Sequence, residues 1–378
     1  MSLFPFEHYL PTRIIFESGK KLDLKPYFRS EGKTLLVISK SLHQCRPEIA
    51  ASLPEGSSIY YEVGSNPTLQ HLKGIPIPSD CTQVIGIGGG SKLDAAKGLF
   101  AKILTDEKVP LEDLIKIPAH IDDRRPIRHR YNLLLVPTTF GASSELTKWG
   151  TIWDWEANKK YSISNELLYA DTALIHPELS LTAPRDITAY TALDTLSHSI
   201  ESIWSIHKNP LTAQHALKAI EICIKTLPLL LENLESLEYR IEIAKVSFFA
   251  GLAFSQTRTA AAHALSYPLT LFHGIPHGYA CSLTLGAMFD FNLSKDSEDL
   301  GKVLTMFRNY YGTPESTFHE CFSHFLECCN VPRTLGEFGV IPSDITNLVN
   351  HAFHPDRFKN MIYTLSESQV RAIYTETL

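Results

Sequence analysis

The sequence has little excess charge and lacks long apolar runs. Its 35 lysines and arginines stand against 41 aspartates and glutamates, which gives a formal net charge of −6. This balance offers no electrostatic reason for a nucleic acid or an anionic membrane to bind. We find no apolar run of about 18 or more residues, the length that a membrane-spanning helix needs. We therefore expect neither a nucleic acid nor a membrane among the partners.

Cysteine is scarce as well. The seven cysteines are an odd number without framework spacing, and they stand at positions 45, 81, 223, 281, 321, 328 and 329. The first residues, MSLFPFEHYLPTRIIF, lack the basic start and the apolar core of a secretory signal. Both features favour reduced thiols and predict a cytoplasmic protein.

The first half of the chain alternates between two kinds of segment. Short apolar or β-branched runs predict strands at residues 13–16, 34–39, 58–63, 83–88, 132–139, 159–165 and 171–177. Helix-like stretches lie between several of them, such as residues 45–53 and 91–104. Strands that alternate with helices predict a parallel sheet covered by helices.

The second half, from Pro184 onward, is dominated by the helical period. The clearest helices are predicted at residues 187–205, 209–233 and 237–254. A chain of 378 residues is expected to form two domains. The predicted fold class is therefore α/β plus all-α, with a parallel-sheet domain at residues 1–183 and a helical domain at residues 184–378.

Two segments carry candidate metal ligands. The first, HALSYPLTLFHGIPHG (263–278), gathers three histidines around two prolines. Pro268 is expected to break its helix and let the chain bend back, so that His277 begins another helix. The second, ALDTLSH, places Asp194 and His198 four residues apart, on one face of a helix.

Together these segments predict a metal centre. Asp194, His198, His263 and His277 form a set of three nitrogens and one oxygen, which suits Fe(II) or Zn(II) rather than calcium or magnesium. The set contains no cysteine, which argues against a structural zinc finger. The alternative is an Asp–His hydrogen bond inside an ordinary core.

Two other histidine positions are less informative. His273 stands four residues before His277 and fits three roles equally well: a ligand, a proton-transfer group or a surface residue. Cys321, His324 and Cys328 share one helical face, but the phenylalanines among them indicate ordinary helix packing.

A glycine-rich turn follows the strand predicted at residues 83–88. Gly88, Gly89 and Gly90 let backbone N–H groups approach a phosphate, and Ser91 is expected to cap the next helix. Asp94 is expected in the first turn of that helix, where the helix dipole favours a carboxylate.

Hydroxyl-bearing side chains stand at the end of another predicted strand: Thr138, Thr139 and Ser143. Beside the glycine turn they predict a site for a dinucleotide pyrophosphate. Taken singly, the two segments fit a tight turn and a polar loop equally well.

Four segments in this order, GGGSKLDAAK, PTTFGASSE, ALDTLSHSIES and HALSYPLTLFHGIPHG, make the chain resemble the iron-containing, or group III, alcohol dehydrogenase family. The resemblance spans nearly the whole chain. It implies a Rossmann-like domain that binds NAD or NADP, a helical domain, and one metal ion, Fe(II) or alternatively Zn(II). It carries the ligand roles to Asp194, His198, His263 and His277, and the cofactor roles to residues 88–91, Thr138, Thr139 and Lys160.

Three positions depart from the common pattern of that family. Tyr267 stands where a second histidine is frequent, and its hydroxyl is a substitute proton carrier. Ser39 and Lys40 stand where an aspartate often pairs with the adenosine ribose, so we expect NADPH to be accepted. Arg258 stands where a small residue is frequent.

The substrate is predicted from two separate arguments. The strings ELTKWGTIWD, ESIWS and LSYPLT resemble the phosphonoacetaldehyde reductase branch of the family. Independently, the cations Arg258 and Lys148 would favour a short aldehyde with an anionic tail, such as phosphonoacetaldehyde. The alternative is that both cations lie on the surface or hold the nucleotide phosphates.

The resemblance and the ligand set together predict an NAD(P)-linked aldehyde reductase or alcohol dehydrogenase. The metal would polarise the carbonyl, and His273 or Tyr267 would pass the proton. Two alternatives stay open: a sugar-phosphate cyclase of the dehydroquinate synthase type, and a non-catalytic metal-binding protein. The resemblance also implies a homodimer or a larger homo-oligomer.

Overall fold

The computed structural model describes residues 5–61, 64, 66–105, 119–154, 156–157, 159–296, 298–353 and 355–378. The chain divides into two compact units. The α/β unit comprises residues 9–139 and 143–180. The helical unit comprises an N-terminal segment that ends at His8, residues 140–142, and residues 181–378.

The α/β unit is built on a six-stranded sheet in which every neighbouring pair is parallel. Its strands are β1 (Arg13–Phe16), β2 (Lys33–Ile38), β3 (Ser58–Tyr60), β4 (Cys81–Gly88), β5 (Asn132–Pro137) and β8 (Thr172–Ile175). They lie in the order β1-β8-β5-β4-β2-β3. The parallel sheet predicted from the alternating segments is thereby confirmed.

The central strands are almost wholly apolar because both faces of the sheet are covered. Successive side chains point to opposite faces, so Leu35 joins one hydrophobic cluster while Leu36 joins another. Val84 and Ile85 divide in the same way on the next strand. Such continuous apolar strands are typical of a parallel sheet between helical layers.

A second, two-stranded sheet pairs β6 (Trp149–Asp154) antiparallel with β7 (Lys159–Ser164). The sequence analysis predicted the strand at residues 159–165 but missed its partner. The six residues of β6 are only partly apolar, WGTIWD, which gives a weak strand signal. The predicted strand at 58–63 ends at Tyr60 in the structure, and residues 62 and 63 lie outside the described part.

Helices fill the rest of both units. In the α/β unit they are α1 (Lys40–Cys45), α2 (Pro47–Ala51), α3 (Leu69–Gly74), α4 (Gly90–Leu104) and α5 (Ala119–Asp122). In the helical unit they are α6 (Arg185–Trp204), α7 (Pro210–Glu232), α8 (Leu237–Thr257), α9 (Ala261–His273), α10 (His277–Ser282), α11 (Leu285–Leu293), α12 (Asp299–Tyr311), α13 (Phe318–Cys328), α14 (Ile345–Ala352), α15 (Pro355–Phe358) and α16 (Glu367–Glu376). The predicted fold class, α/β followed by all-α, is confirmed.

The prediction that Pro268 breaks its helix is wrong. Helix α9 continues through Pro268 to His273, so the helix tolerates the missing N–H at that point. The chain turns instead at Gly274, which has a φ of 66°. Glycine adopts this left-handed conformation without steric strain and is the usual residue after a helix end. Helix α10 then begins at His277, as predicted.

No helix in the described ranges is long and apolar enough to cross a membrane.

Candidate metal centre and cofactor site

Three strand ends meet at one edge of the parallel sheet in the α/β unit. Strand β4, which ends at Gly88, lies between β2 and β5, and these two strands are followed by Ser39 and Thr138. The chain passes from β2 to β3 on one side of β2, then returns to β4 on its other side. Ligands of open parallel sheets bind outside the strand ends at such a reversal of strand order. The geometry therefore suits a cofactor at the predicted glycine turn.

The glycines of this turn are required by close packing. A Cβ on Gly89 would lie 2.9 Å from Oγ1 of Thr139, and a Cβ on Gly88 would lie 2.7 Å from Cβ of Lys92. The N–H of Thr138 donates to the carbonyl of Gly88 at 3.0 Å, which ties the two strand ends together. The turn leads directly into the N-terminus of α4, the end of a helix at which phosphates bind.

The expected places of Ser91 and Asp94 are wrong. Helix α4 begins at Gly90 and its N-cap is Gly89, so Ser91 lies inside the first turn and does not cap it. Asp94 lies one turn further along, beyond the strongest effect of the helix dipole. Its carboxylate accepts from Oγ of Ser144 at 2.7 Å and from the N–H of Thr151 at 2.8 Å. It therefore fastens β6 and the preceding turn to α4.

The remaining candidate cofactor residues occupy varied positions. Ser39 is the N-cap of α1 and accepts from the N–H of Leu42 at 3.2 Å, while Lys40 is exposed. Ser143 is buried and has a φ of 42° at the start of the 3₁₀ turn Ser144–Leu146. Lys160 lies in β7, but its side chain is outside the described part.

A fully buried lysine, Lys97, is bonded to the loop of residues 144–149. Nζ of Lys97 donates to the carbonyls of Ser144, Thr147 and Trp149 at 2.6–2.8 Å, and Oγ1 of Thr147 is a fourth acceptor at 3.0 Å. Burial lowers the pKa of Lys97 to about 8, although Asp94 and Glu145 oppose that change. Burial also raises the pKa of Glu145 to about 7. We call Lys97, its acceptors Ser144, Thr147 and Trp149, and the neighbouring carboxylates Asp94 and Glu145 the Lys97 cluster.

Three of the predicted metal ligands, Asp194, His263 and His277, lie close together in the helical unit, and His198 adjoins the first two of them. Helix α6 carries Asp194 and His198 one turn apart, α9 carries His263, and α10 begins with His277. Gly278 permits the approach of α10 to α6, because a Cβ there would lie 1.7 Å from the carbonyl oxygen of Tyr190. Only glycine fits at this contact, which brings His277 to the side of Asp194.

The atoms that face one another are ligand atoms. Nε2 of His263 lies 2.9 Å from Nε2 of His198 and 3.4 Å from Oδ1 of Asp194, and the latter two atoms are 3.9 Å apart. The rings of His263 and His277 have centroids 5.4 Å apart. Ligand atoms bound about 2.1 Å from one ion are roughly 3.0–3.4 Å apart. Both distances from Nε2 of His263 are close to that range, whereas the distance between His198 and Asp194 is about 0.5 Å longer.

The polar atoms of this cluster are also poorly satisfied by protein partners. Oδ1 of Asp194 and Nδ1 of His198 are buried, and neither has a hydrogen-bond partner among the described residues. A buried carboxylate oxygen without a donor is costly. A divalent cation held by Asp194 and the imidazoles would satisfy that oxygen, so the donor set fits the predicted metal. We call Asp194, His198, His263 and His277 the ligand cluster.

Electrostatics within the ligand cluster are strongly coupled. Burial alone would raise the pKa of Asp194, but the imidazoles of His198, His263 and His277 hold it well below its usual range. Burial lowers the pKa of His198 to about 4. Burial opposes protonation of His263 too, yet Cys281 and Glu201 raise its pKa well above the usual value. A carboxylate kept ionised beside imidazoles is suited to bind a cation.

Two neighbours of the ligand cluster were missed by the sequence analysis. Ligand atoms of Asp194, His263, His277 and Cys281 all lie within 4.8 Å of one another, so a thiol adjoins a set predicted to contain no cysteine. Glu201 is buried with Oε2 2.7 Å from Nδ1 of His263. Helical spacing could have identified both residues, because Cys281 follows His277 by one helical turn and Glu201 follows Asp194 by two.

The two candidate proton carriers differ in position. Tyr267 is half-buried, and its ring stacks parallel to that of His277 with centroids 6.5 Å apart. His273 is the last residue of α9, and its Nε2 lies 4.0 Å from Oδ2 of Asp344. Tyr267 therefore lies beside the ligand cluster, whereas the contact described for His273 is with Asp344.

The two candidate substrate cations belong to different units. Lys148 is half-buried in the α/β unit, directly before β6. Arg258 is exposed in the helical unit, where α8 has ended at Thr257 and α9 has not begun. Arg258 therefore does not share a helix with His263.

The other cysteine–histidine group is ordinary packing, as predicted. Cys321 is buried on α13, Cys328 is exposed, and Nδ1 of His324 pairs with the carbonyl of Tyr311 at 3.0 Å. In the part of the chain that the structure describes, the ligand-atom grouping that includes Asp194 and Cys281 is the single one of three or more potential metal-binding side chains.

Comparison with known proteins agrees with this geometry. Residues 11–177 match the family described as iron-containing alcohol dehydrogenase, and residues 188–378 match the family described as Fe-containing alcohol dehydrogenase family, C-terminal. This family binds NAD(P) and a divalent metal ion.

Two relatives are named for the oxidation of an alcohol or the reduction of an aldehyde. Long-chain-alcohol dehydrogenase 1 of Geobacillus thermodenitrificans is 30% identical over 297 residues, which are 77% of this chain and 73% of that protein. Phosphonoacetaldehyde reductase of Streptomyces viridochromogenes is 31% identical over 213 residues, 55% of this chain and 52% of that protein.

Among solved structures, sulfoacetaldehyde reductase from Bifidobacterium kashiwanohense in complex with NAD⁺ is similar with a TM-score of 0.84. It is 25% identical, and the match covers 99% of both chains. Both halves of the chain, its fold and its cluster of imidazoles and a carboxylate therefore lead to one conclusion: the protein belongs to the iron-containing alcohol dehydrogenase family, whose members are NAD(P)-dependent oxidoreductases acting on CH–OH groups.

Proposed function

We propose that the protein is a metal-dependent, NAD(P)-linked aldehyde reductase whose substrate is a short aldehyde with an anionic tail. The observation that carries the reaction type is the ligand cluster, where His198 and His263 converge on an Asp194 oxygen that has no donor among the described residues. The reverse direction, alcohol oxidation, uses the same groups.

Each half of the chain has a separate role in this proposal. Residues 1–183 bind the dinucleotide, and residues 184–378 bind the metal. Asp194, His198, His263 and His277 hold the ion, Fe(II) by family resemblance or alternatively Zn(II). The cofactor is held by the turn of residues 88–91 and by the flanking side chains Ser39, Asp94, Thr138, Thr139, Ser143 and Lys160.

When bound, the ion supplies Lewis acidity and the nicotinamide cofactor supplies or accepts the hydride. The chain orients both groups and excludes water, since Asp194, His198 and His263 are all buried. The ring of Tyr267 stacks beside that of His277, and its hydroxyl delivers or removes the proton at the product oxygen. His273 is the alternative proton carrier.

The anionic tail is assigned to Arg258, with Lys148 as a second cation. Arg258 has a φ of 61° and a ψ of 176°, a conformation that is nearly restricted to glycine. Such a backbone costs about 1–3 kcal/mol and is concentrated at functional sites. An arginine held in that conformation five residues before His263 is suited to bind a phosphonate or sulfonate bidentately. Two relatives are named for aldehydes that carry such tails.

The cofactor preference, oligomeric state and location are part of the same proposal. Ser39 carries no charge against a 2′-phosphate, so NADPH is accepted alongside NADH. A homodimer or larger assembly is inferred from the family resemblance. A cytoplasmic location agrees with seven cysteines that are all free thiols.

An aldehyde panel tests the function. Metal-free and metal-reconstituted protein are each assayed with NADH and NADPH on phosphonoacetaldehyde, sulfoacetaldehyde and propanal. We expect stoichiometric consumption of the reduced cofactor only after reconstitution. A cyclase of the dehydroquinate synthase type would recycle its NAD, and a non-catalytic protein would turn over none of the aldehydes, so either result contradicts the proposal.

The substrate assignment has its own test. We expect Arg258→Ala to lower kcat/KM for phosphonoacetaldehyde about 10-fold or more while leaving that for propanal within about twofold, because one charge-assisted bidentate contact contributes roughly 1.5–3 kcal/mol. Arg333→Ala is a control at another exposed arginine of the helical unit, whose guanidinium pairs with Glu327 at 3.2 Å. An unchanged ratio between the two aldehydes would remove the anion-binding role and leave the dehydrogenase assignment intact.

A further inference from the structure

Glu201 lies on α6, seven residues after Asp194, and none of its side chain is exposed. We propose that Glu201 is a positioning residue that fixes the orientation and the tautomer of His263 for metal binding. The inference rests on the proposed metal centre and extends it to a residue that is not itself a ligand.

Three donors converge on the Glu201 carboxylate. Oε2 accepts from the N–H of Ala260 at 2.8 Å and lies 2.7 Å from Nδ1 of His263. Oε1 accepts from the backbone N–H of His263 at 3.3 Å. The carboxylate therefore holds both the ring and the backbone of one residue.

These contacts also complete the start of α9. The N-cap of that helix is Ala260, whose side chain cannot accept a hydrogen bond. Glu201 takes this role from the neighbouring helix, and its negative charge is favoured at a helix N-terminus. The position of His263 along α9 is thus tied to α6, which carries Asp194 and His198.

The contact to Nδ1 decides which ring nitrogen is available. A carboxylate offers only acceptor atoms, so Nδ1 of His263 carries the hydrogen and donates it to Oε2. Nε2, on the far side of the ring, faces Nε2 of His198 and Oδ1 of Asp194. An acceptor that fixes the other nitrogen of a ligating histidine orients the ring and raises its basicity.

A buried histidine in the α/β unit shows the contrasting case. Nε2 of His176 pairs with the carbonyl of Lys20 at 2.9 Å, and its Nδ1 lies 2.9 Å from Oε2 of Glu178 without the geometry of a hydrogen bond. Both of its ring nitrogens are therefore near protein oxygens, and Nε2 links two segments of the same unit. In the Glu201 pair the second nitrogen faces other ligand atoms, which is the arrangement a metal centre needs.

The test is the metal affinity of Glu201→Gln, measured as the Kd for Zn(II) and for Co(II) by chelator competition on the full-length, metal-free protein. A carboxamide has one acceptor oxygen for three donors, and in one orientation its NH₂ would face Nδ1. We expect a Kd about 10- to 100-fold higher than that of the wild type, the range seen when outer partners of metal ligands are lost. Glu178→Gln, the matched control, should stay within about twofold of wild type.

A double-mutant comparison separates positioning from general structural damage. Because Glu201 acts through His263, adding Glu201→Gln to His263→Ala should weaken binding no further than His263→Ala alone. The same fold loss in both backgrounds would overturn the proposal, as would a Glu201→Gln Kd within twofold of wild type. If Glu201→Gln does not fold, Glu201→Asp is compared in its place, and wild-type affinity in that shorter variant would likewise overturn it.

The two proposals fail in distinguishable ways. Wild-type protein that binds neither ion would contradict the metal centre and the role of Glu201 together. Wild-type protein that binds tightly, with Glu201→Gln equally tight, would contradict only the role of Glu201.

Discussion

Each unit of the molecule buries a cluster of charged or ionisable side chains, and the two clusters differ in how their polar atoms are paired. In the Lys97 cluster of the α/β unit, the three N–H groups of one ammonium are surrounded by four acceptor oxygens at 2.6–3.0 Å. In the ligand cluster of the helical unit, Nε2 of His263 faces Nε2 of His198 and Oδ1 of Asp194, and that oxygen has no hydrogen-bond partner among the described residues.

The difference separates a structural use of buried charge from a binding use. A buried ion is tolerated when protein atoms complete its hydrogen bonds, as they do for the ammonium of Lys97. Buried nitrogen and oxygen atoms that lie close together and lack hydrogen-bond donors are instead suited to bind a cation from solution. Changes in the Lys97 cluster should therefore affect stability, whereas changes in the ligand cluster should affect metal content and turnover.

The largest expected effect is on turnover in His263→Ala. Removing this imidazole takes one nitrogen from the metal, whose Lewis acidity supplies several kcal/mol of transition-state stabilisation, so kcat/KM should fall at least about 10³-fold. Aldehyde reduction and bound metal are measured after reconstitution, with circular dichroism as a check on folding. His324→Ala, an exposed histidine on α13, is the control. Full activity and metal content in His263→Ala would show that the ligand assignment is wrong.

The second effect, on stability, is expected in Lys97→Met. The thioether keeps most of the volume but donates to none of the four oxygens, so the free energy of unfolding should fall by about 3–5 kcal/mol. Urea unfolding measures the loss, and the affinity for Zn(II) should not change. Lys92→Met is a control on the same helix, because Lys92 is half-buried and its Nζ donates to the carbonyl of Gly64 at 3.2 Å. Equal losses in the two variants would argue against a special role for Lys97.

The smallest expected effect is a pH dependence of the free energy of unfolding that comes from Glu145 in the Lys97 cluster. Burial raises the pKa of Glu145 to about 7, above its unfolded value of 4.5. Stability from this group is therefore fully present below pH 4.5 and is lost as pH rises through about 7. Between pH 5 and pH 8 the free energy of unfolding should fall by about 2 kcal/mol more in the wild type than in Glu145→Gln. Parallel pH profiles for the two proteins would exclude this behaviour of Glu145.

The sequence predicted the features that depend on local pattern. Apolar runs of strand length are visible because both faces of the sheet are covered, and Asp194 and His198 are recognisable because helical spacing places them on one face. The start of α10 at His277 follows from the preceding Gly274 and Pro276 in the same way. These features need only a few neighbouring residues to be recognised.

Other features depend on contacts between distant segments, which spacing does not encode. The role of Asp94 is set by Ser144 and Thr151, about fifty residues further along the chain. Likewise, Glu201 meets Ala260 and His263 only because α6 and α9 pack together. Local rules were also overridden at Pro268, where α9 continues despite the lost backbone donor.

The central claim is that the ligand cluster holds one divalent ion, and a crystal structure of the reconstituted protein with anomalous data collected at the Fe or Zn edge tests it most directly. We predict one anomalous peak bonded to Asp194, His198, His263 and His277, with metal–nitrogen distances of about 2.0–2.2 Å. A peak at another place, a peak without His198 and His263 among its ligands, or no peak in protein that turns over aldehyde would contradict the account.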